Sequence, residues 1–155
     1  MNPPLANTVG ASYILYPLRF AIDWRFAPDP VTQVRPMLFL VDSDWAAPTG
    51  WGNSGAWQSK DGGNTWSRIL QYFQPWSIDL DPNTGRVYVT GTGTFVGGIY
   101  PTAQFSVYSD DGISWHNNLN MAQKRTLWSV TTDPNNSSNI FFGTHGSGLL
   151  YGPKP

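Results

Sequence analysis

The chain has 155 residues and a mass of 17.2 kDa, the size of one ordinary domain with its own core. Only 12% of the residues are charged and the net charge is −1, which excludes a basic surface for nucleic acid or an anionic membrane. Cysteine is absent, which excludes disulfides and thiolate zinc sites. With 16 glycines, 13 prolines and no glutamate, little helix-forming material remains, and we predict an all-β fold. No apolar run reaches the ~18 residues of a membrane helix.

Along the chain, a repeat of about fifty residues is visible. Asp-Pro pairs begin at Asp29, Asp81 and Asp133, with 52 residues from each to the next. A tryptophan precedes each aspartate by five residues: Trp24, Trp76 and Trp128. Alternating apolar and polar residues from each tryptophan predict a first strand, A, and the Asp-Pro pair predicts a turn. Apolar runs at 37–41, 87–90 and 140–142 predict strand B, and the runs at 55–58, 105–108 and 148–151 predict strand C.

A second motif follows strand C in the first two repeats. Residues 59–66 match the Asp-box pattern S-x-D-x-G-x-T-W, and residues 109–115 are a copy one residue shorter. In such a turn the aspartate accepts backbone hydrogen bonds, glycine supplies positive φ, and tryptophan packs into the core. We predict these structural residues: Ser59, Asp61, Gly63, Trp66, Ser109, Asp111, Gly112 and Trp115. Strand D follows each box.

Four strands per repeat are typical of a β-propeller blade. We predict one three-blade unit over residues 1–155, with blades at 21–72, 73–124 and 125–155, the last lacking its outer strand. Residues 11–20 are predicted as an outer strand exchanged into another blade. Three blades cannot close a ring of four to eight, so we expect a homo-oligomer or part of a longer propeller.

The motifs resemble Asp-box (BNR) repeat propellers. Residues 141–152, from Phe141 to Gly152, are similar to the C-terminal blades of glycoside hydrolase family 74, the xyloglucanases. The tail departs from that family at His145, where asparagine is usual, and at Ser147, where arginine is frequent. The resemblance implies an extracellular module contacting a β-glucan such as xyloglucan, and, if it is an enzyme, inverting hydrolysis by aspartates. Neither catalytic segment of the family is matched, so no catalytic residue is carried over. Sialidase chemistry needs a glutamate, which is absent.

Loops at one end of the predicted blades hold aromatic and polar residues suited to sugars. The predicted carbohydrate-binding residues are Trp45, Trp51, Phe95, Tyr100, Arg125 and His145. The alternative is that these aromatics cover blade ends or form a subunit contact. Because Trp24, Trp76 and Trp128 recur in every repeat, we predict that they pack in the core between blades.

The sequence leaves open whether the chain is an enzyme. Asp42 and Asp44 are the candidate catalytic carboxylates, and an ordinary turn is their alternative interpretation. His116 and His145 have no third ligand at metal-site spacing, so we predict neither a metal nor a cofactor. The first hypothesis is a polysaccharide-contacting module that is not catalytic alone. The second is a structural, self-assembling module, and the third is a small glycoside hydrolase whose site forms across an oligomer interface.

Overall fold

The computed structural model describes residues 17–42, 54–71, 74–92, 104–118, 127–136, 138–146 and 148–155. Over these ranges the chain is all-β and forms three antiparallel sheets without a helix. The all-β prediction is therefore confirmed. Accordingly, the described chain contains no helix that is long and apolar enough to cross a bilayer.

Each sheet is built from strands consecutive in the chain, numbered here in chain order. Sheet I consists of β1 (Pro17–Ile22), β2 (Leu38–Asp42), β3 (Gly55–Ser59) and β4 (Ser67–Leu70). Sheet II consists of β5 (Gln74–Leu80), β6 (Val87–Thr92), β7 (Gln104–Ser109) and β8 (His116–Asn117). Sheet III consists of β9 (Leu127–Thr132), β10 (Asn139–Thr144) and β11 (Leu149–Pro153). Every neighbouring pair is antiparallel, and paired strands follow one another directly in the chain.

The first strand of each sheet ends at an equivalent aspartate. The backbone N–H groups of Asp23, Asp81 and Asp133 donate to the carbonyls of Met37, Arg86 and Asn139, at the start of the next strand. The carboxylate oxygen of each aspartate then accepts the N–H two residues further on, which forms an Asx-turn.

The predicted position of the first strand A is therefore wrong. Asp23, rather than Asp29, is equivalent to Asp81 and Asp133, and the strand is Pro17–Ile22. Trp24 follows it in a turn and is 64% exposed, which contradicts the prediction that it packs in the core. The Asp29-Pro30 pair forms a separate turn within the longer connection 23–37, where Asp29 Oδ1 accepts the N–H groups of Val31 and Thr32.

The segment predicted as an exchanged outer strand overlaps β1. Residues 17–20 lie in β1, which pairs with β2 of the same sheet. Residues 11–16 lie outside the described residues. The structure thus assigns the last four residues of the predicted segment to the first strand of sheet I.

The three sheets pack side by side in chain order, with sheet II in the middle. Its first strand, β5, contacts β1 on one side and β9 on the other. The core is correspondingly divided into two clusters. One cluster joins sheets I and II through residues such as Phe39, Val41 and Ile78, and the other joins sheets II and III through Tyr88, Val130 and Phe142. Burial of these side chains supplies the main stabilising free energy of the fold.

Candidate functional site

Three aromatic rings are stacked at the edge where sheets II and III begin. Trp76 lies near the start of β5 and Trp128 near the start of β9, and their rings stack with centroids 5.7 Å apart and an interplanar angle of 11°. His145 follows β10, and its imidazole stacks on Trp128 with centroids 4.9 Å apart at 18°. We call Trp76, Trp128 and His145 the aromatic row.

The row is fixed at its sheet II end by hydrogen bonds. The indole Nε1–H of Trp76 donates to Thr92 Oγ1 over 3.1 Å, and that hydroxyl donates to Oε1 of the buried Gln74 over 2.9 Å. Gln74 and Thr92 face each other in the β5–β6 ladder, so the sheet register determines the position of this chain of groups. A ring anchored in this way loses little conformational freedom when a ligand packs on it.

A tight turn places His145 at the other end of the row. Thr144 ends β10 opposite Leu127, and its N–H and Oγ1–H both donate to Gly148 O, over 3.0 and 2.7 Å. Gly146 and Gly148 have φ values of 78° and 79°, which are strained for residues with a side chain. The turn holds His145 beside Trp128, the second residue of the adjacent strand.

The row is accessible to a ligand. Trp128 is 50% exposed although both of its strand neighbours, Leu127 and Ser129, are more buried, and His145 is also exposed. An exposed aromatic surface beside hydroxyl and amide groups can pack on the C–H groups of a sugar while polar side chains bind the sugar hydroxyls. The prediction that Trp128 is a core residue is wrong, whereas Trp76 is partly buried.

Of the six predicted carbohydrate-binding residues, the structure describes only His145. Trp45, Trp51, Phe95, Tyr100 and Arg125 lie outside the described residues. Trp76 and Trp128 are not among the predicted site residues, because a tryptophan that recurs in every repeat indicates packing between repeats. Their position at the start of strand A, beside the loops predicted to bind ligand, was the signal that could have identified them.

The first Asp-box turn is closed by Asp61. Its carboxylate accepts the Thr65 N–H over 2.8 Å and the Thr65 hydroxyl over 2.6 Å, and Ser59 Oγ donates to Oδ1 over 2.8 Å. Ser59 Oγ also accepts the Gly63 N–H over 2.8 Å. Hydrogen bonds from the Thr65 hydroxyl, the Thr65 N–H and Ser59 lower the pKa of Asp61 to about 2. The Trp66 Nε1–H donates to Gly63 O over 3.1 Å, within the same turn.

The second Asp-box turn has the same design and additionally joins two sheets. Asp111 Oδ1 accepts the N–H groups of Ser114 and Ile113, each over 2.7 Å, and these bonds lower the pKa of Asp111 to about 2. Gly112 N–H donates to Ser109 Oγ over 2.8 Å. Trp115, the counterpart of Trp66, donates its Nε1–H to Ile69 O of sheet I over 2.8 Å. The carboxylates of both boxes thus accept hydrogen bonds from backbone and side-chain donors of their own turns.

A further carboxylate, Asp79, lies between sheets II and III. Its Oδ2 accepts the N–H of Thr132 over 2.7 Å and the Thr132 hydroxyl over 3.1 Å. Burial raises the pKa of Asp79, against the lowering effect of these bonds. A cavity of about 290 Å³ beside β5 is lined by Asp79, Phe20, Trp24 and neighbouring residues. The hydrogen bonds give Asp79 a structural role between the sheets.

The described residues provide no catalytic pair from the predicted candidates. Asp42 is the last residue of β2, its side chain is outside the described set, and Asp44 lies outside the described residues. Within the described part of the chain, no three His, Asp or Glu side chains are grouped so that they could hold a metal ion.

No protein-family model matches the sequence, and no curated protein matches it. The aromatic row and the sheet geometry therefore carry the functional argument.

Proposed function

We propose that sheets I, II and III are consecutive blades of an Asp-box β-propeller that contacts a polysaccharide. Three properties of the sheets support the blade arrangement. Their strands follow one another in chain order, their first strands β1, β5 and β9 are adjacent, and Asp-box turns connect the third and fourth strands of sheets I and II.

The proposed ligand is a β-glucan of the xyloglucan or cellulose type, bound at the aromatic row. The observation that carries this proposal is the stack of Trp76, Trp128 and His145, in which a half-exposed indole stands at the accessible edge of the sheets. The equatorial hydroxyls of a β-1,4-glucan leave its ring faces covered with C–H groups. Because Trp76 and His145 cover the two faces of Trp128, these C–H groups would pack along the exposed edge of the stacked rings and on His145 at its outer end.

In this proposal the chain holds the glycan and is not catalytic by itself. The Asp-box carboxylates Asp61 and Asp111 accept hydrogen bonds from their own turns, and Asp79 accepts those of Thr132. The proposal therefore assigns these three carboxylates to the fold and not to hydrolysis of a glycosidic bond. Because such glycans occur outside cells, the proposal includes an extracellular location.

Calorimetric titration with xyloglucan oligosaccharides and cello-oligosaccharides tests the proposal directly. We expect measurable binding by the unmodified protein and a loss of about tenfold in affinity for Trp128→Ala, since losing about 60 Å² of buried apolar surface costs about 1.5 kcal/mol. His145→Ala should also weaken binding, because the row then loses its exposed end.

Trp24→Ala is the matched control. Trp24 is another exposed tryptophan, and it follows β1 beside the 81–86 turn, at the opposite end of the sheets from the aromatic row. Binding should be unchanged in this variant. Absence of binding to a broad panel of glycans, or equal losses in Trp24→Ala and Trp128→Ala, would refute the proposed site.

The structural, self-assembling module is a second candidate. It is favoured by a different observation, the exposure of apolar side chains on the outward faces of sheets I and III.

A further inference from the structure

Sheet II, the middle sheet, is covered on both of its faces by a neighbouring sheet. In β5, Ser77 Oγ accepts the N–H of Val130 and Asp79 Oδ2 accepts the N–H of Thr132, so these two residues face sheet III. Ile78 and Leu80 alternate with them and lie in the cluster shared with sheet I. Sheet II therefore has a front face packed on sheet I and a back face packed on sheet III.

Sheet I has the same two faces, and one of them is uncovered. Phe20, Ile78 and Val130 occupy equivalent positions in the three sheets. Each stands three residues before the equivalent aspartate, which is Asp23, Asp81 or Asp133. Ile78 is 3% exposed and Val130 is 2% exposed, whereas Phe20 is 52% exposed. The difference follows from position: Ile78 and Val130 face a preceding sheet, and no sheet of the described chain precedes sheet I. Phe20 thus marks an uncovered front face.

Sheet III has an uncovered back face. In the paired registers, Phe141 and Tyr151 of sheet III correspond to Tyr88 and Tyr108 of sheet II. Tyr88 is fully buried against sheet III, with Tyr108 packed on the same cluster, but Tyr151 is 55% exposed. Leu149 corresponds to the buried Ser106 and is 64% exposed. These three positions, Phe141, Leu149 and Tyr151, form an apolar back face that no described sheet covers.

We propose that the back face of sheet III packs against the front face of sheet I in a second copy of this chain, and reciprocally, so that two chains bury both faces. The occupant is assigned by the internal repeat. The same pairing of a back face with a front face already occurs twice in one chain, between sheets I and II and between sheets II and III.

One hydrogen-bonding pair between sheets II and III has equivalents on the two uncovered faces. Ser129 of sheet III is equivalent to Ser77, whose Oγ accepts the N–H of Val130, and Phe20 is equivalent to Val130. The second copy would therefore offer the Phe20 N–H to Ser129 Oγ.

The Asp-box tryptophans agree with this arrangement. Trp115 reaches back to the Ile69 carbonyl of the preceding sheet, whereas the equivalent Trp66 bonds within its own turn. This inference is independent of glycan binding.

Sedimentation equilibrium of the full chain tests the proposal. We expect a species of twice the 17.2 kDa chain mass at micromolar concentration. Phe20→Asp and Leu149→Asp should each raise the dissociation constant at least about tenfold, because each places a carboxylate on one uncovered apolar face. Val31→Asp is the matched control, since Val31 is exposed in the 23–37 connection and lies on neither face. It should leave the mass unchanged.

Mixing the two variants gives a sharper test. Phe20→Asp retains an intact back face and Leu149→Asp an intact front face, so an equimolar mixture should form a one-to-one complex through one undamaged contact. In a dimer formed by one variant alone, by contrast, both contacts contain a substituted face. Circular dichroism of each variant verifies folding at these exposed positions.

Three results would overturn the proposal. The first is a folded unmodified chain that stays monomeric at micromolar concentration, which would leave the faces to another partner or to further parts of a longer chain. The second is a dimer unaffected by both substitutions. The third is a mixture of the variants in which no complex forms. A negative glycan titration would not affect these outcomes.

Discussion

Replacing Lys154 with methionine should destabilise the protein strongly although the residue lies next to the last position. Lys154 Nζ donates to Asp81 Oδ2 over 2.8 Å, and the two side chains are 7% and 4% exposed. Burial by itself raises the pKa of Asp81. The hydrogen bonds from Lys154 and from the Asn83 N–H have the larger combined effect, so the pKa of Asp81 is lowered. The pair ties the C-terminal segment of sheet III to the turn after β5.

The expected cost is about 3 kcal/mol of the free energy of unfolding. Removing one partner of a buried ion pair generally costs about 3–5 kcal/mol, because a charge is left buried without compensation. The low end applies because Asp81 Oδ1 still accepts the N–H of Asn83 over 2.9 Å. In the double variant Asp81→Asn, Lys154→Met, both charges of the pair are removed and the asparagine can accept the same N–H. That variant should recover at least about 1.5 kcal/mol relative to Lys154→Met.

Urea unfolding at pH 7, followed by circular dichroism, measures both quantities. Lys60→Met is the control, since Lys60 is exposed, and it should change stability by less than about 0.5 kcal/mol. A cost below about 1 kcal/mol for Lys154→Met would refute the reasoning, and so would a double variant that is no more stable than the single one.

Two further predictions concern carboxylates with opposite pKa shifts. The pKa of Asp61 is about 2 in the folded state and ~3.9 when unfolded, so its stabilisation is complete above the unfolded pKa and is lost as pH falls through the folded pKa. Urea titrations at pH 5 and pH 2.5 should therefore show a smaller acid loss for Asp61→Asn than for the unmodified protein; equal losses would contradict this. For Asp79, burial raises the folded pKa, so ionisation disfavours folding at neutral pH and this cost disappears as pH falls through that pKa. Asp79→Asn, which can still accept the Thr132 N–H, should be at least as stable as the unmodified protein at pH 7 by thermal unfolding, with its advantage shrinking in acid; a lower melting temperature at pH 7 would argue against it.

The Asp-box turns were predictable because their bonds are local. Asp61 accepts from Thr65, and Asp111 accepts from Ser114 and Ile113, all within four residues. A motif of this kind contains both its donors and its acceptors, so its residue types and spacing determine the turn. The strands that flank the boxes were predictable for a similar reason, since alternation of apolar residues is also a local signal.

The position of the first strand was mispredicted because two turns of the same chemistry lie close together. Asp23 and Asp29 both accept backbone N–H groups two residues further on, and only Asp29 precedes a proline. The spacing of 52 residues favoured Asp29. The ladder between β1 and β2 places Asp23 at the strand end instead, and pairing between distant residues is not visible in local sequence.

By itself the sequence determined the all-β class, the succession of short strands and the chemistry of the Asp-box turns, because backbone propensity and hydrogen bonds over a few residues decide these features. Only the tertiary structure decided which residues at equivalent positions of the three sheets are covered by a neighbouring sheet. Ile78 and Val130 are buried while Phe20 is exposed, and Trp128 is half exposed in a stack with Trp76 and His145. Burial depends on which sheet stands opposite a side chain, and that neighbour is contributed by residues more than fifty positions away.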